Sequence, residues 1–180
     1  EQIKTTVARL IFSTTTGVSI EKNDISSSVS DFVLQKNTNK LIYSVKQEGV
    51  SGIYTSNIDR TNEKLIKTLP FNEFLLDPVN SNETLVTTKA SWNIPGYAYL
   101  LNTTTGAFSK ILGNINGLVV KVSPDKKYYI YSQSEQTRPS IKLYNSIIGN
   151  TRILSIDTIP SEKCVFSQKK PNEAYCFGSL

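Results

Sequence analysis

Along most of this chain apolar and polar residues alternate in short runs, broken by clusters of Gly, Asn, Asp, Thr and Pro. Alternation at every second residue is the signature of a strand with one buried face, and no stretch shows the helical period. The pattern predicts two strands near 7–13 and 18–21, joined by a hairpin turn at Thr14-Thr15-Thr16-Gly17. A polar connector, Asn23 to Ser30, follows. Strands are then predicted near 32–35, 40–46, 52–57 and 63–68; near 74–76, 83–88, 97–102 and 107–112; near 118–122, 128–132, 140–145 and 151–156; and near 163–167 and 173–177. Between them lie Asn37-Thr38-Asn39, Glu48-Gly49 and Asp59-Arg60-Thr61-Asn62, residue types that tolerate tight turns.

The strand pattern repeats. Tyr54, Tyr99 and Tyr144 are each 45 residues apart. A second series, Leu41-Ile42-Tyr43-Ser44, Leu85-Val86-Thr87-Thr88, Tyr129-Ile130-Tyr131-Ser132 and Ala174-Tyr175-Cys176-Phe177, recurs at 44, 44 and 45. A third anchor runs through Val33, Leu75, Val120 and Val165. A period of this size filled by short strands is that of one four-stranded propeller blade, a small twisted sheet stacked on its neighbours. The expected fold is therefore all-β, a β-propeller or a segment of one, with a partial blade at 1–30, blades at 31–70, 71–114 and 115–160, and a partial blade at 161–180. One aromatic per blade at the repeat period reads as inter-blade core. The two early strands either join the two late ones to close a four-bladed ring or belong to a larger wheel; the second is expected, since the chain starts at Glu1 without any Met.

Composition narrows the function more by exclusion than by assignment. Lys and Arg total 20 against 15 acids, a net charge of +5, with no cluster of four basic residues, so no nucleic-acid role is expected. Lys126-Lys127 and Lys169-Lys170 read as solvated turns. No apolar stretch approaches the roughly 20 residues that cross a bilayer, so no membrane insertion is expected within this segment. Any anchor would lie upstream of residue 1. Cys164 and Cys176 flank the turn Gln168-Lys169-Lys170-Pro171-Asn172 and face each other across a predicted hairpin. They are either a disulfide, which favours an oxidising compartment, or two buried thiols. Asn82-Glu83-Thr84 and Asn102-Thr103-Thr104 match the glycosylation acceptor pattern, which matters only in a host that glycosylates.

Ser123-Pro124-Asp125-Lys126-Lys127 followed by Tyr128-Tyr129-Ile130-Tyr131-Ser132 resembles the S-P-D-G-K motif of TolB-like and WD-repeat-like β-propellers. Asp77-Pro78 is a relic of it in the second unit. Tyr99-Leu100-Leu101-Asn102-Thr103-Thr104-Thr105-Gly106 is similar to that family's hairpin between third and fourth strands. Segments such as Ile111-Leu112-Gly113-Asn114 and Glu162-Lys163-Cys164-Val165 also resemble uncharacterised membrane-anchored propeller proteins of small-genome bacteria. That likeness implies an extracytoplasmic wheel behind an N-terminal anchor, and supplies no ligand.

The chain has no His, which excludes Ser-His-Asp and Cys-His nucleophile systems within it and His-containing metal sites. No phosphate-cradling glycine loop is present. The 15 acids are scattered over turns, so no catalytic residue, metal site or cofactor is assigned. One loop stands out. Ala90-Ser91-Trp92-Asn93-Ile94-Pro95-Gly96 carries the only Trp, and makes Trp92, Asn93 and Ile94 the candidate binding residues unless Trp92 folds down over its own blade. Ser134 to Pro139 occupies the matching position in the third unit. The reading is a non-enzymatic scaffold, outside the cytoplasm, whose loops bind a protein or cell-envelope component. The alternatives are an accessory propeller of a larger hydrolase of the prolyl-oligopeptidase kind, marked by a G-x-S-x-G elsewhere in the polypeptide, and a carbohydrate-binding propeller.

Overall fold

The computed structural model describes residues 5–13, 17–25, 28–135 and 138–179, and side chains from residue 28 onward. Three antiparallel sheets of four strands follow one another along the chain. The first contains β3 (Val29–Leu34), β4 (Lys40–Gln47), β5 (Val50–Asn57) and β6 (Lys64–Leu69). The second contains β7 (Phe74–Pro78), β8 (Glu83–Thr88), β9 (Pro95–Asn102) and β10 (Phe108–Asn116). The third contains β11 (Val120–Val122), β12 (Tyr128–Ser134), β13 (Pro139–Asn145) and β14 (Asn150–Leu154). In each, the strands pair in sequence order, the meander of a propeller blade. Two-stranded sheets flank them: β1 (Thr5–Ser13) with β2 (Gly17–Ile25), and β15 (Cys164–Phe166) with β16 (Ala174–Cys176). These two are separate sheets, so the early and late strands do not pair to close a four-bladed ring. The predicted turn at Thr14 to Thr16 lies outside the described residues.

The second and third sheets bury both faces, one on either neighbour. Ile42 and Ile53 of the first sheet meet Phe74, Leu76, Val86 and Leu101 of the second in one cluster. Leu85, Ala98 and Leu100 point the other way and join Val120, Val122, Tyr129 and Tyr131 of the third. Ile130 and Ile141 then pack against Cys164 and Phe166 of the last sheet. Side chains of one strand therefore split alternately between two cores, as Val86 and Leu85 do, because successive residues face opposite sides of the pleat. The repeated tyrosines flank these cores on the side of the preceding sheet: Tyr54 beside Leu41 and Tyr43, Tyr99 beside Phe74, Tyr144 beside Tyr129. Each also meets a ring of its own sheet, at 5.7 Å for Tyr43 and Tyr54, 4.5 Å for Tyr99 and Phe108, and 5.7 Å for Tyr129 and Tyr144.

Three of the four positions in the third series move by one residue: Val33, Leu75 and Val165 face the opposite side from Val120. Leu75 and Val165 are 41 % and 57 % exposed, whereas Phe74, Leu76, Cys164 and Phe166 are buried against the preceding sheet, as Val120 and Val122 are. The equivalent inner-strand positions are therefore Phe32, Phe74, Val120 and Cys164, and next Leu34, Leu76, Val122 and Phe166. A slip of one residue exchanges the faces of a strand, and apolar residues on both faces hide the slip in the sequence. Two further departures are local. Strand β10 runs on to Asn116 beyond the predicted Leu112, with register shifts after Lys110 and Gly113; bulges of this kind leave no alternation to read. Gly113 fits there because a Cβ would lie 2.6 Å from the Tyr97 ring. Where no helix was expected, α1 (Pro160–Lys163) makes a single turn. Pro160 starts it with a preset φ, and the Lys163 N–H donates to the Ile159 carbonyl at 2.8 Å.

The Ser123 turn shows what the motif residues do. The fully buried Ser123 hydroxyl donates to Asp125 Oδ1 at 2.7 Å and accepts from the Lys127 and Tyr128 N–H groups at 3.1 and 3.0 Å. Lys126 takes the motif's glycine position at φ +63° and reaches Glu83 of the second sheet at 3.0 Å. The Ser123→Ala variant removes the acceptor of the Tyr128 N–H and leaves that of Lys127 only Asp125 Oδ1, at 3.3 Å. It is expected to lose about 1–3 kcal/mol, read as a lowered urea midpoint with unchanged slope; a loss below about 0.5 kcal/mol refutes this role.

Candidate functional site

The β8–β9 connection is built as a stiff turn. At its base the Thr88 hydroxyl accepts from the Tyr97 N–H at 2.9 Å. Ser91 and Ile94 then exchange both backbone bonds, at 3.1 and 3.2 Å, leaving Trp92 and Asn93 as the two tip residues. The Ser91 carbonyl also accepts from the Gly117 N–H at 2.8 Å, tying the turn to the next connection. Underneath, Gly96 brings the chain against Ala90 and Leu118, where a Cβ would fall 2.8 and 2.9 Å from theirs. The turn so held leaves Trp92 45 % and Ile94 58 % exposed, with Asn93 also exposed between them. An indole and a branched aliphatic side chain are thus presented to solvent on ordered backbone, the arrangement in which an aromatic anchor costs little entropy to bury.

Gly117 also joins this turn to its counterpart in the third sheet. Its carbonyl accepts from the Ser132 hydroxyl at 2.6 Å, and the same hydroxyl accepts from the Val119 N–H at 3.0 Å. The β8–β9 and β12–β13 connections therefore emerge on one rim, a relation that sequence spacing left open. On that rim Glu73 bridges Lys46 at 3.4 Å and Lys89 at 3.0 Å. The Lys89 hydrogen bond, with that of Lys46, holds its carboxyl below the usual carboxylate range.

The most enclosed charges lie elsewhere. Asp77 on β7 and Lys121 on β11 pair at 2.8 Å, their side chains 23 % and 16 % exposed. Burial raises the Asp77 carboxyl above its ordinary value, while Lys121 and then Lys36 draw it back. This group links the second and third sheets as a structural ion pair. Among the described residues no three His, Cys, Asp or Glu side chains are grouped to hold a metal ion, and no helix is long and apolar enough to cross a membrane. Cys164 and Cys176 are directly paired across β15 and β16, their Cα atoms 4.1 Å apart, and form a disulfide. Of the two sequence alternatives for these cysteines, the bridge is the one the fold contains.

No described protein family and no curated protein matches this sequence. Solved structures do. TolB from Acinetobacter baumannii is similar with a TM-score of 0.60 and 16% identity over 91% of this chain and 45% of its own. The acylaminoacyl peptidase of Pyrococcus horikoshii is similar with a TM-score of 0.63 and 11% identity over 94% of this chain and 32% of its own. The β-propeller domain of the Trilobed protease from Pyrococcus furiosus, a domain of open velcro topology, gives 0.57 and 8% identity over 97% of this chain and 67% of its own. This chain spans less than half the length of the first two. At such identities the likeness shows the fold alone, and it agrees with the three stacked four-stranded sheets: this chain folds as a segment of a β-propeller.

Proposed function

We propose that this chain is a non-enzymatic scaffold that acts outside the cytoplasm and binds a protein or cell-envelope component through the rim carrying Trp92, Asn93 and Ile94. The observation that carries the reading is the stiff, exposed Ser91-Trp92-Asn93-Ile94 turn, since Trp held on ordered backbone is the commonest kind of binding hot spot. The disulfide supports the location, because such bonds persist in oxidising compartments. The test uses a detergent-solubilised cell-envelope fraction and purified peptidoglycan as probes, with retention of the protein as the readout. Trp92→Ala is expected to weaken retention by about 30-fold or more, the equivalent of a hot-spot loss near 2 kcal/mol. Ile94→Ala is expected to have a smaller effect. Equal retention of wild type and both variants, or none by the wild type, overturns the reading.

The peptidase neighbours support a second reading, an accessory propeller beside a hydrolase domain. A G-x-S-x-G nucleophile elbow in the same polypeptide distinguishes it.

A further inference from the structure

We propose that the Ile147-Ile148 tip of the third sheet, with the basic turns beside it, is a contact surface for an anionic lipid bilayer. The tip belongs to the turn between β13 and β14, at the end of the strands opposite the Trp92 rim. Its two isoleucines are 61 % and 65 % exposed. Turn tips are ordinarily polar, and the other two complete sheets keep them so. The turn between β9 and β10 has the same build. Asn102 Oδ1 accepts from the Thr104 and Thr105 N–H groups at 3.0 and 2.9 Å, as Asn145 Oδ1 accepts from the Ile147 N–H at 2.9 Å. Gly106 and Gly149 follow at φ +73° and +66°. Both turns are tied to the first hairpin of their blade, Thr103 N–H to the Asn82 carbonyl at 2.8 Å and Ser146 N–H to the Lys127 carbonyl at 2.9 Å. Thr104 and Thr105 therefore stand where Ile147 and Ile148 stand, and Asp59 and Arg60 form the corresponding tip of the first sheet. The turn folds twice with a polar tip, so folding does not call for the isoleucines.

A following blade does not cover this position. Asp59 is exposed although the second sheet follows it, and Thr104 and Thr105 are exposed although the third does. Charge decides what the tip meets. The Ser146 hydroxyl donates to the Lys126 and Lys127 carbonyls at 3.1 and 3.2 Å, which sets that basic turn against the isoleucines. Lys126 pairs with Glu83 at 3.0 Å and Lys127 with Asp125 at 3.6 Å, and both lysine side chains remain open to solvent. Arg152 is exposed on β14 just beyond the turn. The β15–β16 turn places Lys169 and Lys170 on the same rim, with Lys170 bonded to Glu173 at 2.9 Å. On these segments Lys126, Lys127, Arg152, Lys169 and Lys170 outnumber Glu83, Asp125 and Glu173. An aliphatic tip among cations fits a bilayer surface: the isoleucines enter the boundary between headgroups and acyl chains, and the cations meet anionic headgroups. Protein hot spots favour Trp, Tyr and Arg instead, whereas flexible Lys stems follow a fluid headgroup layer.

The test is sedimentation of the 180-residue chain with vesicles of phosphatidylcholine alone and of equal parts phosphatidylcholine and phosphatidylglycerol. Binding to the mixed vesicles is expected, at least about tenfold tighter than to phosphatidylcholine alone, and is expected to weaken as salt rises. Ile147→Thr/Ile148→Thr copies the tip of the second sheet, so it keeps the fold, checked by an unchanged circular dichroism spectrum and melting temperature. It is expected to weaken binding to the mixed vesicles by at least about tenfold. Lys127→Gln/Arg152→Gln is expected to weaken it by about tenfold and to flatten the salt dependence. Absence of wild-type binding to the mixed vesicles overturns the proposal, as does equal binding by the isoleucine double variant or equal affinity for the two vesicles. Retention of the wild type by delipidated envelope protein, lost in the isoleucine double variant and without vesicle binding, would give the tip to a protein partner and overturn it as well.

Discussion

Phe74→Ala is expected to lower stability by about 3–5 kcal/mol, and to separate the unfolding of the first sheet from that of the rest. Phe74 heads the fully buried side chains by volume, and it sits in a core formed by two sheets, with Ile42 and Ile53 on one side and Val86 and Leu101 on the other. Removing it costs the transfer free energy of the ring plus a cavity that two pleated sheets can only partly close. In a stack of repeats stability is the sum of unit terms and nearest-neighbour terms, so a lesion at one interface weakens coupling there and nowhere else. The melting temperature is expected to fall by roughly 6–20 °C. Urea unfolding followed by Trp92 fluorescence, which reports the second sheet, should diverge from that followed by circular dichroism, which reports all sheets. Phe32→Ala is the internal control: the same residue type at the equivalent position of the first sheet, 46 % exposed, with an expected cost within about 1 kcal/mol in the single chain. Equal costs for the two variants would sink the assignment of blade faces.

Reduction of the Cys164–Cys176 disulfide is expected to remove about 3 kcal/mol, and the loss should be local. The bridge closes a short loop of sequence separation 12 and cross-links the two strands of a sheet that has no others. Without it, β15 and β16 form a short hairpin of marginal stability held only by their contact with the third sheet. Hydrogen exchange in 164–166 and 174–176 should therefore accelerate strongly on reduction, while β7 to β10 keep their protection. Alkylation before and after reduction is expected to show two blocked thiols becoming two free ones. Free thiols in natively expressed protein, or unchanged exchange on reduction, would remove both the structural role and the argument for an oxidising compartment.

The repeat was legible because its signals are independent of packing detail. Alternation marks strands, Gly, Asn and Thr mark the turns, and Tyr54, Tyr99 and Tyr144 hold a fixed interval. The opposed cysteines were also legible, since a hairpin centred between them fixes their pairing. Register was not. Blade strands are apolar on both faces, so Val33, Leu75, Val120 and Val165 align well as letters while Leu75 and Val165 point to the other side from Phe74 and Cys164. The bulges of β10 and the turn of helix at Pro160 were missed for a related reason: each depends on what packs against it.

For the candidate site, sequence supplied the residue types and structure the geometry. A lone Trp in a long connection is visible as text, but text leaves both the lid and the exposed anchor open. The exchange of bonds between Ser91 and Ile94 is local, but the two bonds of Gly117, to Ser91 and to Ser132, join segments far apart in the chain. They fix Trp92 outward and bring the second and third connections to one rim. The sequence by itself determined the strand count, the repeat and the absence of histidine chemistry, because these follow from local periodicity and composition. Only the tertiary structure decided which face of each strand is buried and which loops share a rim, because those depend on one sheet stacking on the next.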